Sequence, residues 1–86
     1  MTEEKKMIYT IAVITECCKE NPLTVEIGVK GNEYTVSLGR EGQYTSNTFK
    51  SMADAYKVFE KLSSWLVMGL YSESAKRHFL ETGTME

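Results

Sequence analysis

The 86-residue chain has the composition of one small globular domain, with 42% hydrophobic and 26% charged residues. Its formal net charge of −2 excludes a general electrostatic attraction to nucleic acid or to anionic membranes. No stretch of the sequence approaches the ~20 apolar residues that a membrane-spanning helix needs. The two cysteines, Cys17 and Cys18, are adjacent, which excludes the spaced disulfide framework of small secreted domains and favours a reduced, cytoplasmic protein.

Residues 3–20 carry features of both a helix and a strand. Thr2 suits a helix N-cap, acidic residues follow it, and Asn21-Pro22 suits a helix end. A stripe at helical spacing consists of Met7, Ile11, Ile14 and Cys18. Residues 8–15 are nevertheless rich in side chains that favour strands. We predict a helix over residues 3–20, and the alternative is a fourth strand.

A β-hairpin is predicted over residues 23–38, because apolar and polar residues alternate on both sides of the turn-forming dipeptide Gly31-Asn32. A two-residue turn there places opposite charges beside the turn and apolar residues opposite each other. The predicted pairs are Lys30 with Glu33, Val29 with Tyr34, Ile27 with Val36 and Val25 with Leu38. The other face is predicted to be polar and consists of Thr24, Glu26, Gly28, Lys30, Glu33, Thr35 and Ser37.

A weaker strand is predicted over residues 43–49, after a turn at residues 40–42. Its polar centre makes it an edge strand. A three-residue loop would place Tyr44 on the same face as Leu38, whereas a two-residue loop would place Phe49 there. The sequence leaves both alternatives open.

One long amphipathic helix is predicted over residues 51–71, with Ser51 as its N-cap. Its apolar stripe consists of Met52, Ala55, Phe59, Leu62, Leu66 and Gly69, at steps of three or four residues. A short second helix, capped by Ser72 or Ser74, is predicted to end at Gly83.

These elements predict an α+β fold in a single domain that spans residues 1–86. The expected architecture has two layers, in which a three-stranded antiparallel meander packs against helices. The predicted order of the elements along the chain is α-β-β-β-α(-α).

The predicted order of elements over residues 3–66 is helix, three strands and helix. This order resembles that of the double-stranded RNA-binding domain. The junction from Thr48-Phe49-Lys50 to Ala55 is similar to the entry into the helix of the N-terminal DNA-binding domain of phage-type integrases. These resemblances imply nucleic-acid binding through the start of the second helix or through the sheet. In this chain the start of that helix has one lysine and one acid instead of a lysine-rich run.

Motifs for catalysis, cofactor binding or metal binding do not stand out. The single histidine, His78, has no cysteine or carboxylate at ligand spacing and is interpreted as a surface residue of a helix. Cys17 and Cys18 lack the C-x-x-C spacing of redox motifs, and the glycines do not form a phosphate-binding loop. We predict a non-enzymatic protein without catalytic, cofactor-binding or metal-ligating residues.

The second half of the long helix is apolar on every side. Trp65, Met68 and Tyr71 occupy the side that is polar earlier in the helix, so this part requires cover from two directions. The second cover is either another chain or the C-terminal helix folding back. Trp, Tyr and Met are also enriched at interfaces. We predict a homodimer interface at these three residues, in a small regulatory or accessory protein of a bacterium or mobile element. The alternative is nucleic-acid binding through the sheet or through the basic run at residues 76–78.

Overall fold

A four-stranded antiparallel sheet followed by two helices makes up the fold, in a computed structural model that describes residues 9–17 and 20–83. The strands are β1 (Tyr9–Thr15), β2 (Thr24–Lys30), β3 (Glu33–Arg40) and β4 (Gln43–Phe49), and the helices are α1 (Met52–Met68) and α2 (Glu73–Thr82). The strands lie side by side in chain order, so that β1 and β4 form the two edges of the sheet. The helices pack on one face of the sheet, which makes a two-layer α+β structure.

The observed order is β-β-β-β-α-α, so the predicted order α-β-β-β-α(-α) and the predicted three-stranded sheet are wrong. Residues 9–15 of the predicted N-terminal helix form β1, whereas residues 3–8 and 18–19 lie outside the described residues. Strand β1 pairs with β2 with a register shift between Thr10 and Ala12. The extra residue at this bulge interrupts the period-two pattern of a strand and produces apolar spacing that resembles a helix.

The hairpin formed by β2 and β3 has the predicted register. Val25 lies opposite Leu38, Ile27 opposite Val36, Val29 opposite Tyr34 and Lys30 opposite Glu33. Gly31 has a φ of 63°, which the first position of the two-residue turn requires and glycine adopts without strain. The four central apolar residues of the hairpin are completely buried. The predicted inner face is therefore confirmed.

A two-residue turn, Glu41-Gly42, connects β3 to β4. Of the two loop lengths left open by the sequence, the shorter one is present. It places Phe49 on the inner face, where its side chain packs against the core, and leaves Tyr44 exposed on the outer face. The position of β4 at the edge of the sheet is confirmed.

Helix α1 packs on β2 and β3, and α2 packs on β4 and β3. Four residues of the predicted stripe on α1 are buried, namely Ala55, Phe59, Leu62 and Leu66. The other two members differ, because Met52 is exposed in the first turn and Gly69 ends the helix. Leu80 of α2 completes the buried core.

Serine residues begin both helices, and glycine residues end them. The side chains of Ser51 and Ser72 accept hydrogen bonds from the backbone N–H three residues later, at 3.2 and 3.1 Å. Gly69 and Gly83 adopt left-handed conformations, with φ values of 70° and 81°, and act as the C-caps. The cap at Gly69 stops α1 before Tyr71, the end predicted for the long helix.

We predict that Ile27→Ala or Val36→Ala lowers the free energy of unfolding by about 1 to 3 kcal/mol. Each change removes completely buried methyl groups and leaves a cavity between the sheet and α1. Thr35→Ala, on the outer face of the same hairpin, should have little effect. Denaturant titration followed by far-UV circular dichroism compares the three variants. Equal losses at Val36 and Thr35 would mean that the two faces are wrongly assigned.

Gly39 marks a close approach of two strands. A Cβ atom at this position would lie 2.2 Å from the carbonyl oxygen of Gln43 and 2.7 Å from the Cα of Tyr44. Both are backbone atoms of the paired strand, so they cannot move aside without disturbing the β3–β4 ladder.

We therefore predict that Gly39→Ala lowers the free energy of unfolding by about 2 kcal/mol or more, through overpacking. Ser37→Ala is the matched control, because Ser37 lies on the same strand and the same face. Thermal and denaturant unfolding of both variants test the expectation. A G39A protein with wild-type stability would contradict the close approach.

Candidate protein-interaction surface

The short connection between α1 and α2 holds a tyrosine in an unusual backbone conformation. Tyr71 has a φ of 66°, the one positive value among the described residues other than glycine, and such conformations cost about 1 to 3 kcal/mol. The Nζ of Lys76 donates a hydrogen bond to the Tyr71 carbonyl oxygen at 3.0 Å. The ring of Trp65 packs on the Tyr71 ring, with 4.7 Å between centroids. Contacts from both helices therefore hold Tyr71 in place.

Trp65 is the centre of an aromatic cluster. Its ring meets the ring of Phe79 edge to face, with 5.1 Å between centroids, and also contacts Tyr71. The Nζ of Lys61 lies 5.9 Å from the centroid of the Phe79 ring. Trp65 is partly buried and packs against the core. The cluster therefore joins α1, α2 and their connection into one rigid unit.

Exposed apolar side chains surround this cluster at the end of α1. Val67, Met68, Leu70 and Tyr71 expose 73%, 60%, 42% and 54% of their surface. We call these four residues the helix-end surface. Adjacent exposed apolar residues mark binding sites on soluble proteins more often than isolated ones do.

A second set of exposed apolar side chains lies on the edge strand β1. Tyr9, Ile11 and Val13 expose 64%, 46% and 50% of their surface. The main contacts of the two helices are with β2, β3 and β4, which leaves β1 at the margin of the covered sheet. Tyr9 lies opposite Val29 and therefore belongs to the inner face, at this margin.

A groove of about 320 Å³ joins β1 to the helix-end surface. Its lining consists of Thr15, Glu16 and Cys17 at the end of β1 and of Leu66 and Val67 on α1. Val67 belongs to the helix-end surface, and Thr15 is the last residue of β1. The groove therefore places Val67 of the helix-end surface beside the end of β1, whereas Val13 lies opposite Glu26 on the outer face of the sheet.

A network of charged side chains lies at the start of α2. Glu73 accepts hydrogen bonds from Arg77 at 2.7 Å and from Arg40 at 3.1 Å, and Arg40 also lies 3.5 Å from Glu16. The hydrogen bond from Arg77 lowers the pKa of Glu73, burial opposes this effect, and Arg40 lowers the pKa further. Lys76 is buried beside them, and burial lowers its pKa against the opposing charges of Glu16 and Glu73. These groups stabilise the packing of α2 on the sheet.

The basic run considered as an alternative nucleic-acid site is largely involved in contacts within the chain. Lys76 is buried, and the guanidinium of Arg77 bonds to Glu73 and to Thr45 of β4. His78 is half-buried in α2. Nucleic-acid binding depends on exposed cations that reach several phosphates, so this geometry gives little support to binding at this end.

The outer face of the sheet is shallow and polar. A depression of about 290 Å³ is lined by Glu26, Gly28, Thr35, Ser37 and Tyr44. Glu26 accepts a hydrogen bond from the Thr10 hydroxyl. The Glu26 carboxylate repels phosphate groups. Proteins that bind single strands stack successive bases on several aromatic side chains, whereas this depression has one tyrosine, Tyr44.

The described part of the chain contains no cluster of side chains that could bind a metal ion. Among residues 9–17 and 20–83, no three His, Cys, Asp or Glu side chains are placed to hold a metal ion. Cys17 is exposed and lines the groove, and Cys18 lies outside the described residues. In the same ranges, neither α1 nor α2 combines the length and the apolar character needed to cross a bilayer.

The three predicted interface residues occupy one region but differ in exposure. Trp65 and Tyr71 are in ring contact, and Met68 and Tyr71 expose more than half of their surface, whereas Trp65 is partly covered by Phe79. Their contact with a partner stays a prediction. Sequence reasoning did not predict the exposure of Leu70, because the helix was expected to continue to residue 71, whereas the cap at Gly69 ends it.

The exposed residues of β1 were missed because this segment was predicted to be a helix. The signal that would have found them is the β-branched run of residues 8–15.

Comparisons of the chain with protein-family models, with curated proteins and with solved structures find no match. The geometry described above is therefore the basis for a functional proposal.

We predict that Glu73→Gln lowers the free energy of unfolding near neutral pH. The free energy of unfolding of this variant should also fall less steeply as the pH is lowered. The pKa of Glu73 is below its ordinary value of 4.5 in the folded protein, so its ionised form stabilises the fold above that value. This contribution is lost as the pH falls through the lower, folded-state pKa. Denaturant titrations of both proteins at a series of pH values should give curves that converge in acid. A constant difference at all pH values would contradict the role of the Glu73 charge.

Proposed function

We propose that this protein is a non-enzymatic, cytoplasmic protein-interaction module that acts as a homodimer through its helix-end surface. Trp65, Met68 and Tyr71 are the interface residues in this proposal, with Trp65 as the partly covered anchor. The single observation that carries the proposal is the set of four adjacent apolar side chains exposed beside a rigid aromatic cluster. The function is regulatory or accessory, and it uses no cofactor.

The rigidity of the region supports binding. Side chains that are already ordered lose less conformational entropy on association, so more of the apolar burial contributes to affinity. Tyr71 is held on both sides, by the ring of Trp65 and by the hydrogen bond from Lys76 to its carbonyl oxygen. A conformation with positive φ, retained at an exposed residue, is a feature that clusters at functional sites.

The small size of the domain favours a second copy as the partner. A chain of 86 residues buries only about 60 to 65% of the surface that its unfolded form exposes, which limits its stability as a monomer. Covering the helix-end surface with an identical copy removes further apolar area from water, at about 25 cal/mol for each Å². Closed dimers are also the commonest assemblies of soluble proteins.

We predict that the wild-type protein is a dimer at tens of micromolar and that the double variant Val67→Lys, Met68→Lys is a monomer. Two charges in the apolar interface must be desolvated if the dimer is to form. Both side chains are exposed, so the fold should be retained. Light scattering coupled to gel filtration measures the assembly, and far-UV circular dichroism checks the helices.

Met52→Glu is the control, because Met52 is an exposed methionine at the opposite end of the same helix. Each introduced charge suits its own end of the helix dipole, which keeps the effect on α1 small. The control should remain dimeric. A monomeric wild-type protein would remove the homodimer from the proposal. A gel shift with duplex RNA and DNA whose affinity falls steeply with salt would favour the nucleic-acid alternative instead.

A further inference from the structure

We propose that two copies of this protein associate through β1, which pairs antiparallel with β1 of the second copy and extends the two sheets into one. The inference rests on the proposed homodimer and specifies how its two copies meet. The groove and Val67, which lines it, then lie beside the new strand pair, because the groove is at the end of β1.

The backbone of β1 has hydrogen-bonding groups directed away from β2. The N–H of Glu16 donates to the carbonyl oxygen of Leu23 at 3.0 Å, which identifies a hydrogen-bonded pair at the end of the β1–β2 ladder. Such pairs alternate in an antiparallel ladder. By this alternation Ala12 and Ile14 bond to β2, whereas the N–H and C=O groups of Val13 and Thr15 face the open edge of the sheet.

Apart from its bulge, strand β1 lacks the features that protect edge strands from pairing. Residues 9–15 contain no charged residue and no proline, and three of their large apolar side chains are exposed. The bulge between Thr10 and Ala12 leaves residues 12–15 as the regular part of the strand, and the proposed pair is centred there. By contrast β4, the other edge strand, is held by α2, since Arg77 bonds to Thr45 and Asn47 bonds to the Leu80 carbonyl oxygen.

The two ends of β1 are complementary to each other, as a two-fold interface requires. Tyr9 extends from the inner face at the start of the strand, and the groove between Cys17 and Val67 lies at its end. An antiparallel pair centred on Val13 brings Tyr9 of each copy beside the groove of the other. Because the strand is uncharged, like charges do not oppose each other along the pair.

The area required by a stable dimer also favours this arrangement. A standard interface buries roughly 800 Å² on each partner, about one seventh of the 5791 Å² surface of this protein. Such an interface involves roughly 20 to 30 residues on each side, whereas the helix-end surface consists of four. The edge and the exposed side chains of β1 enlarge the contact.

Charge substitutions at Val13 test the strand pair. In a pair centred on this residue the two copies of position 13 face each other, so Val13→Lys or Val13→Glu alone should weaken dimerisation by roughly a hundredfold through like-charge repulsion. An equimolar mixture of the two variants should restore the dimer. Tyr44→Lys is the matched control, because Tyr44 is similarly exposed on the opposite edge strand. It should leave the assembly unchanged.

Spin labels provide a measurement that does not depend on weakening the dimer. With Cys17 and Cys18 replaced by serine, a nitroxide at position 13 should show strong dipolar broadening between copies, whereas a nitroxide at position 44 should not. Absence of broadening at position 13 in a dimeric sample overturns the strand pair even if the charged variants fail to fold.

The outcomes separate this inference from the proposed function. If the Val13 variants remain dimeric while Val67→Lys, Met68→Lys dissociates, the dimer uses the helix-end surface alone and the strand pair is wrong. If the wild-type protein is a monomer, the homodimer fails and the strand pair fails with it. Dissociation by the Val13 charges, with restoration in the mixture, supports the strand pair; dissociation of Val67→Lys, Met68→Lys as well supports the helix-end surface.

Discussion

The inner face of the β2–β3 hairpin is the constraint on which the rest of the structure depends. Its two central pairs, Val25 with Leu38 and Ile27 with Val36, are completely buried and define the register of the sheet. A one-residue slip would turn these side chains towards solvent, so the register is strongly specified. An apolar face of this size requires a second layer, and the stripe on α1 provides it. The remaining elements are arranged around this contact.

The contact between α2 and β4 has a different character, because it is largely polar. The inner face of β4 carries Thr45 and Asn47, which bond to the side chain of Arg77 and to the carbonyl oxygen of Leu80. These hydrogen bonds satisfy polar groups that would be costly to bury without partners. They also fix α2 so that Phe79 reaches Trp65. The position of the aromatic cluster is thus a consequence of the polar packing of α2 on β4, at the edge of the sheet opposite β1.

The open edge and the exposed end of α1 follow from the same arrangement. Because the helices pack mainly on β2, β3 and β4, Tyr9 on the inner face of β1 is left at the margin, whereas Val13 lies opposite Glu26 on the outer face, which neither α1 nor α2 covers. Exposed apolar surface weakens a small domain as a monomer and favours association. The proposed interface and the proposed strand pair therefore both use apolar surface that the two-layer fold leaves exposed.

Sequence and structure agree where the determinants are local. The register of the hairpin followed from alternation on both sides of Gly31-Asn32, and the starts of both helices followed from serines that bond three residues ahead. The buried stripe of α1 followed from its period. Trp65, Met68 and Tyr71 were selected because they interrupt the polar side of a helix, and their contact with a partner stays a prediction.

The sequence by itself determined the hairpin, the helix starts and the apolar stripe, because period and capping act over a few residues. Only the tertiary structure decided the state of residues 9–15, where pairing with β2 outweighs helix-like spacing around a bulge. It also decided the exposure of Leu70, because the cap at Gly69 turns the chain out of the core stripe. The first outcome depends on contacts between segments that are distant in the chain, because strand propensity and helical spacing conflict within residues 8–15 and do not decide between the two states.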